Sequence, residues 1–304
     1  MKQPHAETGS AMKLALAYLS VFIIWGSTYL AIRIGVKDIP PALFAGLRFL
    51  VAGGVMLLYG KLSSRRLPPS LAEYRTHLIV GILLLVGGNG MVVWSEQWVH
   101  SGLAAVIIGA VPLFMSSIDA LVPGGHRLSS VGWIGILVGF GGVVMLVSPS
   151  FSGNGEAEIN PMGVLGLLFA SLSWSAGSIY SKRQAVGGDV FMNTAVQMFS
   201  GGMVLMMIAF ATGETEMGGM SQDGFVALLY LIVFGSIIGY TAYTYLLHHV
   251  PPAKAATYAY VNPIVAILLG ALILSEPLEM RTLLSTVVIL AGVAIVQFAR
   301  TRKS

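Results

Sequence analysis

The chain has 304 residues, of which 56% are hydrophobic and only 10% are charged. Soluble domains carry about 25% charged residues, so this composition excludes an ordinary soluble protein. A membrane-spanning helix needs about 20 apolar residues, and a chain of this length crosses a bilayer about ten times with little left for a separate domain. The chain has no cysteine, which excludes disulfides, thiolate metal ligands and a thiol nucleophile.

Apolar segments bounded by charged residues or by Pro and Gly follow one another along the chain. They predict ten transmembrane helices at residues 14–33, 41–60, 77–95, 101–121, 128–147, 161–181, 190–212, 223–246, 253–273 and 281–299. The first run follows two lysines in the manner of a signal peptide, but it spans a whole bilayer and no cleavage signature follows it. We therefore expect an all-α integral membrane protein with short tails at residues 1–13 and 300–304.

Lysine and arginine are distributed unevenly between alternate connecting segments. With the N-terminus in the cytoplasm, 13 of the 17 Lys and Arg residues lie in cytoplasmic segments, and only Arg33, Lys37 and Arg281 lie in external ones. Cytoplasmic loops of membrane proteins are enriched in basic residues. The pattern therefore predicts cytoplasmic N- and C-termini and an external linker at residues 148–160. The net charge of +4 follows from this topology, so we expect no nucleic-acid partner.

The two halves of the chain are related at an offset of about 150 residues. Corresponding pairs are Trp25 and Trp174, Arg48 and Gln197, Gly88 and Gly239, Pro112 and Pro263, and Gly142 and Gly292. Each repeat, 14–147 and 161–299, contains five predicted helices. Because five is odd, the second repeat enters the membrane from the opposite side. Inverted repeats of broken helices around a midplane site are typical of secondary transporters.

Four short motifs resemble a known family. They are IWGSTY at residues 24–29, GNGM at 88–91, YAYVNP at 258–263 and SEPL at 275–278. They are similar to the EamA-type transporters of the drug/metabolite transporter superfamily. The resemblance implies two inverted EamA repeats, a central cavity between them, and export of amino acids or other small metabolites across a bacterial inner membrane. The first repeat departs from the pattern where His126 stands opposite Glu276.

Polar and aromatic residues on helix faces are the candidates for a substrate cavity. Tryptophan normally lies at the membrane interface, yet Trp25 and Trp174 lie midway along their helices. Residues that share helical faces with them or lie at matching depth are also predicted to line the cavity: Thr28, Tyr29, Asn89, Ser178, Tyr240, Tyr243, Tyr258 and Asn262. The alternative for each is ordinary helix packing with internally bonded hydroxyls.

Two prolines and two charged residues complete the candidate set. Pro112 and Pro263 are predicted to kink helices four and nine beside the cavity, because each removes a backbone donor. Arg48 lies inside a span, where it either attracts a substrate carboxylate, snorkels to the interface or bonds helix-end carbonyls. Glu276 is a candidate for proton coupling, although no acidic residue lies near the centre of a predicted helix.

The missing motifs narrow the function. The chain has no phosphate-binding loop and no His-Glu-x-x-His zinc signature, so we expect neither ATP hydrolysis, nor a cofactor, nor a metal site. The sequence predicts a secondary transporter that exports small amphipathic solutes such as amino acids by alternating access. A passive channel and an intramembrane enzyme are the alternatives. The expected partners are the lipid bilayer and the solute, and the Gly135 and Gly139 spacing predicts a packing face or a homodimer contact.

Overall fold

The computed structural model describes residues 4–151, 160–184, 186–216 and 219–301, and the side chains of 11–148 and 160–299 within those ranges. The described chain is helical and contains no strand. Parts of the predicted tails 1–13 and 300–304 and most of the predicted linker 148–160 lie outside the described residues.

Ten helices in the described ranges are long and apolar enough to cross a membrane, which confirms the predicted number. We name them α1 to α10: Ala11–Gly35, Pro41–Leu62, Leu71–Ser95, Ser101–Leu121, Ser130–Ser148, Pro161–Arg183, Val190–Thr212, Gln222–His249, Pro252–Leu274 and Met280–Ala299. The predicted start of α3 at residue 77 is wrong by six residues. Ser70 accepts a hydrogen bond from the Glu73 backbone N–H, and this cap starts the helix one and a half turns earlier.

Two helices contain long π-helical segments. Ile82–Gly90 lies inside α3, and Leu231–Tyr240 lies inside α8. Wide turns of this kind are rare and frequently occur at functional sites. Both segments contain glycine, and Gly88 of the first and Gly239 of the second form one of the pairs at an offset of about 150 residues.

Two further helices are broken rather than kinked. Helix α4 consists of Ser101–Ile108 and Val111–Leu121, and α9 passes through a 3₁₀ segment, Ala256–Tyr260, before Asn262–Leu274. Pro112 and Pro263 therefore lie in the first turn of the second segment of each helix. The prediction of a mid-helix kink is corrected here, because a proline in the first turn has no intrahelical hydrogen bond to lose.

Small residues allow two helix pairs to approach closely. An added Cβ atom on Gly53 of α2 would lie 2.5 Å from the Phe199 backbone nitrogen of α7. On α5, Gly135 and Gly139 pack against Gly292 of α10. The Gly135 and Gly139 face, predicted to be a packing face or a homodimer contact, thus packs against another helix of the same chain. These two glycines are covered and do not face a second copy.

Candidate functional site

A central cavity of about 50 Å³ lies between five helices: α1, α3, α4, α6 and α9. Six predicted residues line it: Trp25, Thr28, Tyr29, Asn89, Trp174 and Tyr258. Six other lining residues were not predicted: Ile32, Gly88, Val92, Ile108, Val111 and Ala170. Helical spacing could have identified some of them, since Ile32 lies two turns after Trp25 and Ala170 one turn before Trp174.

Trp25 is the centre of an aromatic cluster in the cavity wall. Its ring centroid lies 5.3 Å from Trp174, 5.1 Å from Tyr258 and 5.0 Å from Tyr243. The first two contacts are edge to face, which is a favoured geometry for aromatic pairs. The Trp25 Nε1–H donates to the Gly235 carbonyl at 3.1 Å. Because this N–H is already bonded, the ring offers the cavity an aromatic surface and no free donor.

Tyr243 and Ser178 form a hydrogen-bonded layer beside the cavity. The Trp174 Nε1–H donates to the Tyr243 hydroxyl at 3.0 Å, and the same hydroxyl lies 2.7 Å from Ser178 Oγ. Tyr243 and Ser178 are both fully buried, and neither lines the central cavity. The structure therefore places these two predicted site residues behind the wall.

A third predicted residue, Tyr240, extends this layer. Its ring lies 6.3 Å from Trp174, and its hydroxyl donates to Gln197 Oε1 at 2.9 Å. We refer to Trp174, Ser178, Tyr240 and Tyr243 as the partition. Asn262, the fourth predicted residue outside the cavity wall, is 2% exposed. With its amide oriented to satisfy its neighbours, Asn262 donates to the Phe22 and Tyr258 carbonyls at 3.1 and 3.2 Å.

The sequence did not predict the cavity on the other side of the partition. This polar cavity has a volume of about 190 Å³. Its polar lining comprises Thr76, His77, Ser181, Lys182, Gln184, Asn193, Thr194, Gln197, Thr244 and His248. These residues lie near the starts of α3 and α7 and the ends of α6 and α8. Gln197 connects it to the partition, since it accepts the hydrogen bond from Tyr240.

The two cavities are stacked along α3. His77 and Val80 line the polar cavity, whereas Gly88, Asn89 and Val92 line the central cavity. Eight residue positions along the helix separate Val80 from Gly88. The π-helical segment Ile82–Gly90 covers most of this interval. An irregular helix therefore joins the two cavities across the level of the partition.

Arg48 is buried next to the central cavity. It is 1% exposed, its Nε donates to Ser236 Oγ at 2.8 Å, and its Nη1 donates to Asn89 Oδ1 at 3.1 Å. Among the described residues, no carboxylate lies within salt-bridge distance of it. Both packing alternatives for Arg48 are wrong, because the side chain neither snorkels nor bonds helix-end carbonyls.

Glu276 lies away from the central cavity. Its carboxylate accepts hydrogen bonds from the Ser101 N–H at 2.9 Å, the Ser101 hydroxyl at 2.9 Å and the Gly102 N–H at 3.1 Å. These groups form the first turn of α4, where an acidic group is stabilised by the helix dipole. The structure thus places Glu276 as a cap on a helix of the other half of the chain.

These features define a class of protein. Ten membrane-spanning helices enclose two stacked cavities, and backbone irregularities in α3, α4, α8 and α9 occur where they adjoin cavities or the partition. Non-helical backbone at membrane depth is tolerated where protein or a cavity satisfies it. Among the described residues, no cluster of three His, Asp or Glu side chains could hold a metal ion. This arrangement is typical of a membrane transporter.

Comparison with known proteins agrees with that class. The model of the EamA-like transporter family matches the chain twice, over residues 12–148 and 161–298. The chain belongs to the EamA-like transporter family. It is 41% identical over 285 residues to the uncharacterized inner membrane transporter YedA of Escherichia coli K12, covering 93% of this chain and 90% of that protein. The chain is therefore a multi-pass membrane transporter of the inner, or plasma, membrane.

More distant relatives match more than nine tenths of this chain. The uncharacterized transporter YoaV of Bacillus subtilis is 23% identical, with 96% of this chain and 99% of that protein covered. The chloroplastic WAT1-related protein At3g02690 of Arabidopsis thaliana is 25% identical, with 92% and 68% covered. The crystal structure of another protein matches this one with a TM-score of 0.67 at 18% sequence identity, and the match covers 94% of this chain and 97% of that chain. The two proteins share the fold.

Proposed function

We propose that this protein is a secondary transporter that exports small amphipathic solutes, and that it works by alternating access between two inverted five-helix repeats. The observation that carries the proposal is the pair of cavities stacked along α3 and separated by the partition. In a carrier, solute reaches a central site from one side at a time. The basic segments support cytoplasmic termini, which places the polar cavity on the cytoplasmic side and the central cavity nearer the outside.

The chemistry around the central cavity supports a solute with an apolar part and a carboxylate. Trp25, Trp174 and Tyr258 offer aromatic surface to the apolar part. The Asn89 oxygen is occupied by Arg48, so the Asn89 amide N–H groups are left for an acceptor on the solute. A buried cation without a carboxylate partner is costly in a membrane and normally serves function. Amino acids combine both features.

The size of the central cavity supports a conformational cycle. A volume of about 50 Å³ holds only a few water molecules. An amino acid therefore enters only if side chains of the wall or the partition move. The π-helical segments of α3 and α8 and the breaks of α4 and α9 put changeable backbone beside the cavity. We infer that this conformation is one in which the central site is contracted.

A passive channel and an intramembrane enzyme are less well supported. A channel needs a continuous polar path, and the fully buried Tyr243 interrupts the path between the cavities. An enzyme needs paired acid and base groups at one depth, and the wall of the central cavity contains no Asp, Glu, His or Lys. We propose that the protein is not an enzyme.

Counterflow in liposomes tests the proposed function. Purified protein is reconstituted with unlabelled solute inside, and uptake of the same labelled solute is followed for a panel of aromatic, aliphatic, basic and acidic amino acids. A carrier gives transient accumulation of one chemical class, with saturation and stimulation by solute on the other side. Flux that neither saturates nor responds to solute on the far side would indicate a channel and contradict the proposal.

The orientation is tested separately by labelling two engineered cysteines in the naturally cysteine-free chain. Ser63 and Glu216 are both exposed and lie in segments predicted to face opposite sides. In intact cells, a membrane-impermeant thiol reagent should label Glu216→Cys and spare Ser63→Cys until the membrane is opened. Labelling of both residues from one side would contradict the ten-span inverted topology.

A further inference from the structure

The carboxyl group of Glu96 is buried without a hydrogen-bond donor. Glu96 directly follows α3, and its exposed fraction is 0%. Neither Oε1 nor Oε2 has a hydrogen-bond partner among the described residues. A buried carboxylate anion with no donor is strongly unfavourable, and such a group remains protonated instead. It was not among the predicted site residues, because burial is not visible in the sequence.

The basic residue Arg33 lies beside Glu96 but is engaged elsewhere. The Arg33 guanidinium donates to the main-chain carbonyl of Glu96 and makes no salt bridge with its carboxyl group within the described chain. Burial raises the pKa of Glu96 well above its usual range, the nearby charge of Glu276 raises that pKa further, and Arg33 lowers it in part. The geometry and the direction of the pKa shift both favour the neutral acid.

Glu96 and Glu276 differ sharply in their surroundings. Three donors surround the Glu276 carboxylate, which is the environment of an anion, whereas the Glu96 carboxyl has none. Different environments are how proteins divide roles between carboxyl groups. Glu276 is thus held in place by its donors, and Glu96 is the carboxyl group of the pair that has no partner in this conformation.

Glu96 and its neighbour Arg33 each lie one helical turn beyond a residue that lines the central cavity. On α3, Glu96 follows the cavity residue Val92 by four positions; on α1, Arg33 follows the cavity residue Tyr29 by four positions. The titratable groups that face Glu96 are Arg33 and Tyr29 of α1 and Glu276 after α9. A change in the charge of Glu96 therefore acts on the helices that form the wall of the cavity.

We propose that Glu96 is the proton-binding site of the transport cycle. In the conformation described here the carboxyl group holds its proton. When it releases the proton to water, the carboxylate attracts the Arg33 guanidinium away from the Glu96 carbonyl, and this exchange rearranges the contact between α1 and the end of α3 beside the central cavity. The proposal deepens the proposed function and rests on it, because it makes the opening of the cavity dependent on protonation.

Two measurements that need no solute test this site. Infrared spectra of the purified protein at neutral pH should contain the carbonyl stretch of a buried carboxylic acid, which Glu96→Gln removes and Glu279→Gln does not. Glu279 is only partly buried, unlike the fully buried Glu96, and it serves as the control. If the spectrum of Glu96→Gln shows no loss of this band relative to the native protein, Glu96 is ionised and the proposal is overturned.

The second measurement reports opening. A cysteine at Thr28, which lines the central cavity, is labelled from the external side at increasing pH. The pH dependence of the thiol itself is measured in Glu96→Gln and divided out. The remaining labelling, in the native protein and in the Glu279→Gln control alike, should increase by about tenfold per pH unit below the pKa of Glu96, because one proton is released. If Glu96→Gln is misfolded, Glu96→Asp replaces it and should retain the dependence with a shifted midpoint. A pH dependence equal in all variants would overturn the proposal.

The result is separable from the carrier proposal. If the infrared band and the labelling depend on Glu96 while no amino acid gives counterflow, the proposed function fails and the proton site stands. If counterflow occurs but neither measurement depends on Glu96, the carrier stands and this inference is wrong.

Discussion

Removing the hydroxyl group of Tyr243 should weaken the partition. Tyr243 is fully buried, and its hydroxyl accepts the hydrogen bond from Trp174 Nε1 and contacts Ser178 Oγ. In Tyr243→Phe the Trp174 N–H loses its acceptor, whereas the Ser178 hydroxyl keeps its bond to the Trp174 carbonyl at 2.7 Å. One buried donor without a partner costs about 1–3 kcal/mol.

This cost has a measurable consequence if the bonds exist only while the partition is closed. A difference of about 1–3 kcal/mol shifts the ratio of open to closed partition by about 5-fold to 150-fold. The assay is the labelling rate of a cysteine at Thr28, in the central cavity, by an impermeant thiol reagent added on the side of the polar cavity. Tyr243→Phe should increase that rate at least about fivefold.

The control is Tyr59→Phe, which removes an equivalent hydroxyl from a residue that is 55% exposed in the absence of lipid. It should leave the labelling rate unchanged. An unchanged rate in Tyr243→Phe, in protein that is folded and reconstituted, would refute the reasoning that these hydrogen bonds close the path between the cavities.

Three further predictions concern the central cavity and the charged residues beside it. Trp25→Ala should lower counterflow by more than about tenfold, since it removes the centre of the aromatic cluster. The control Trp133→Ala, on the exposed surface of α5, should change counterflow little. An equal loss in both variants would indicate a general packing effect. Arg48→Met should weaken binding of amino acids by about tenfold and spare their methyl esters, as measured by competition in counterflow. The pKa of Glu96 is raised on folding, so stability should fall as pH rises from its unfolded pKa toward its folded pKa; thermal unfolding in detergent should show this fall in the native protein and its absence in Glu96→Gln.

Much of the fold could be predicted because the bilayer imposes it. A run of about 20 apolar residues has few alternatives to a spanning helix, and this fixed the number of helices. The ends were less predictable where a local cap decides them: Ser70 with Glu73 extends α3 into the predicted loop. The sequence indicated that Pro112 and Pro263 disrupt the backbone. It could not distinguish a kinked helix from two helical segments in series, because a proline is compatible with both.

The site was predictable only in part, because spacing gives the face of a helix and not what covers that face. Trp25 and Tyr258 reach the central cavity, whereas Tyr243, on an equally polar face, lies in the partition. The polar cavity could not be predicted, since it forms where ends of helices distant in sequence meet. Glu96 was undervalued for a related reason: its position near a helix end gave no indication that it is fully buried.

Alternating access is tested most directly by comparing two cysteines on opposite sides of the partition. Thr28 lines the central cavity and Val190 lines the polar cavity. Each is replaced by cysteine in a separate variant, and labelling by impermeant reagents from the outside and from the cytoplasm is measured with and without a transported amino acid. The account predicts reciprocal changes, in which conditions that increase labelling at position 28 from outside decrease labelling at position 190 from the cytoplasm. Labelling that rises and falls together at both positions, as in a continuous pore, would contradict it.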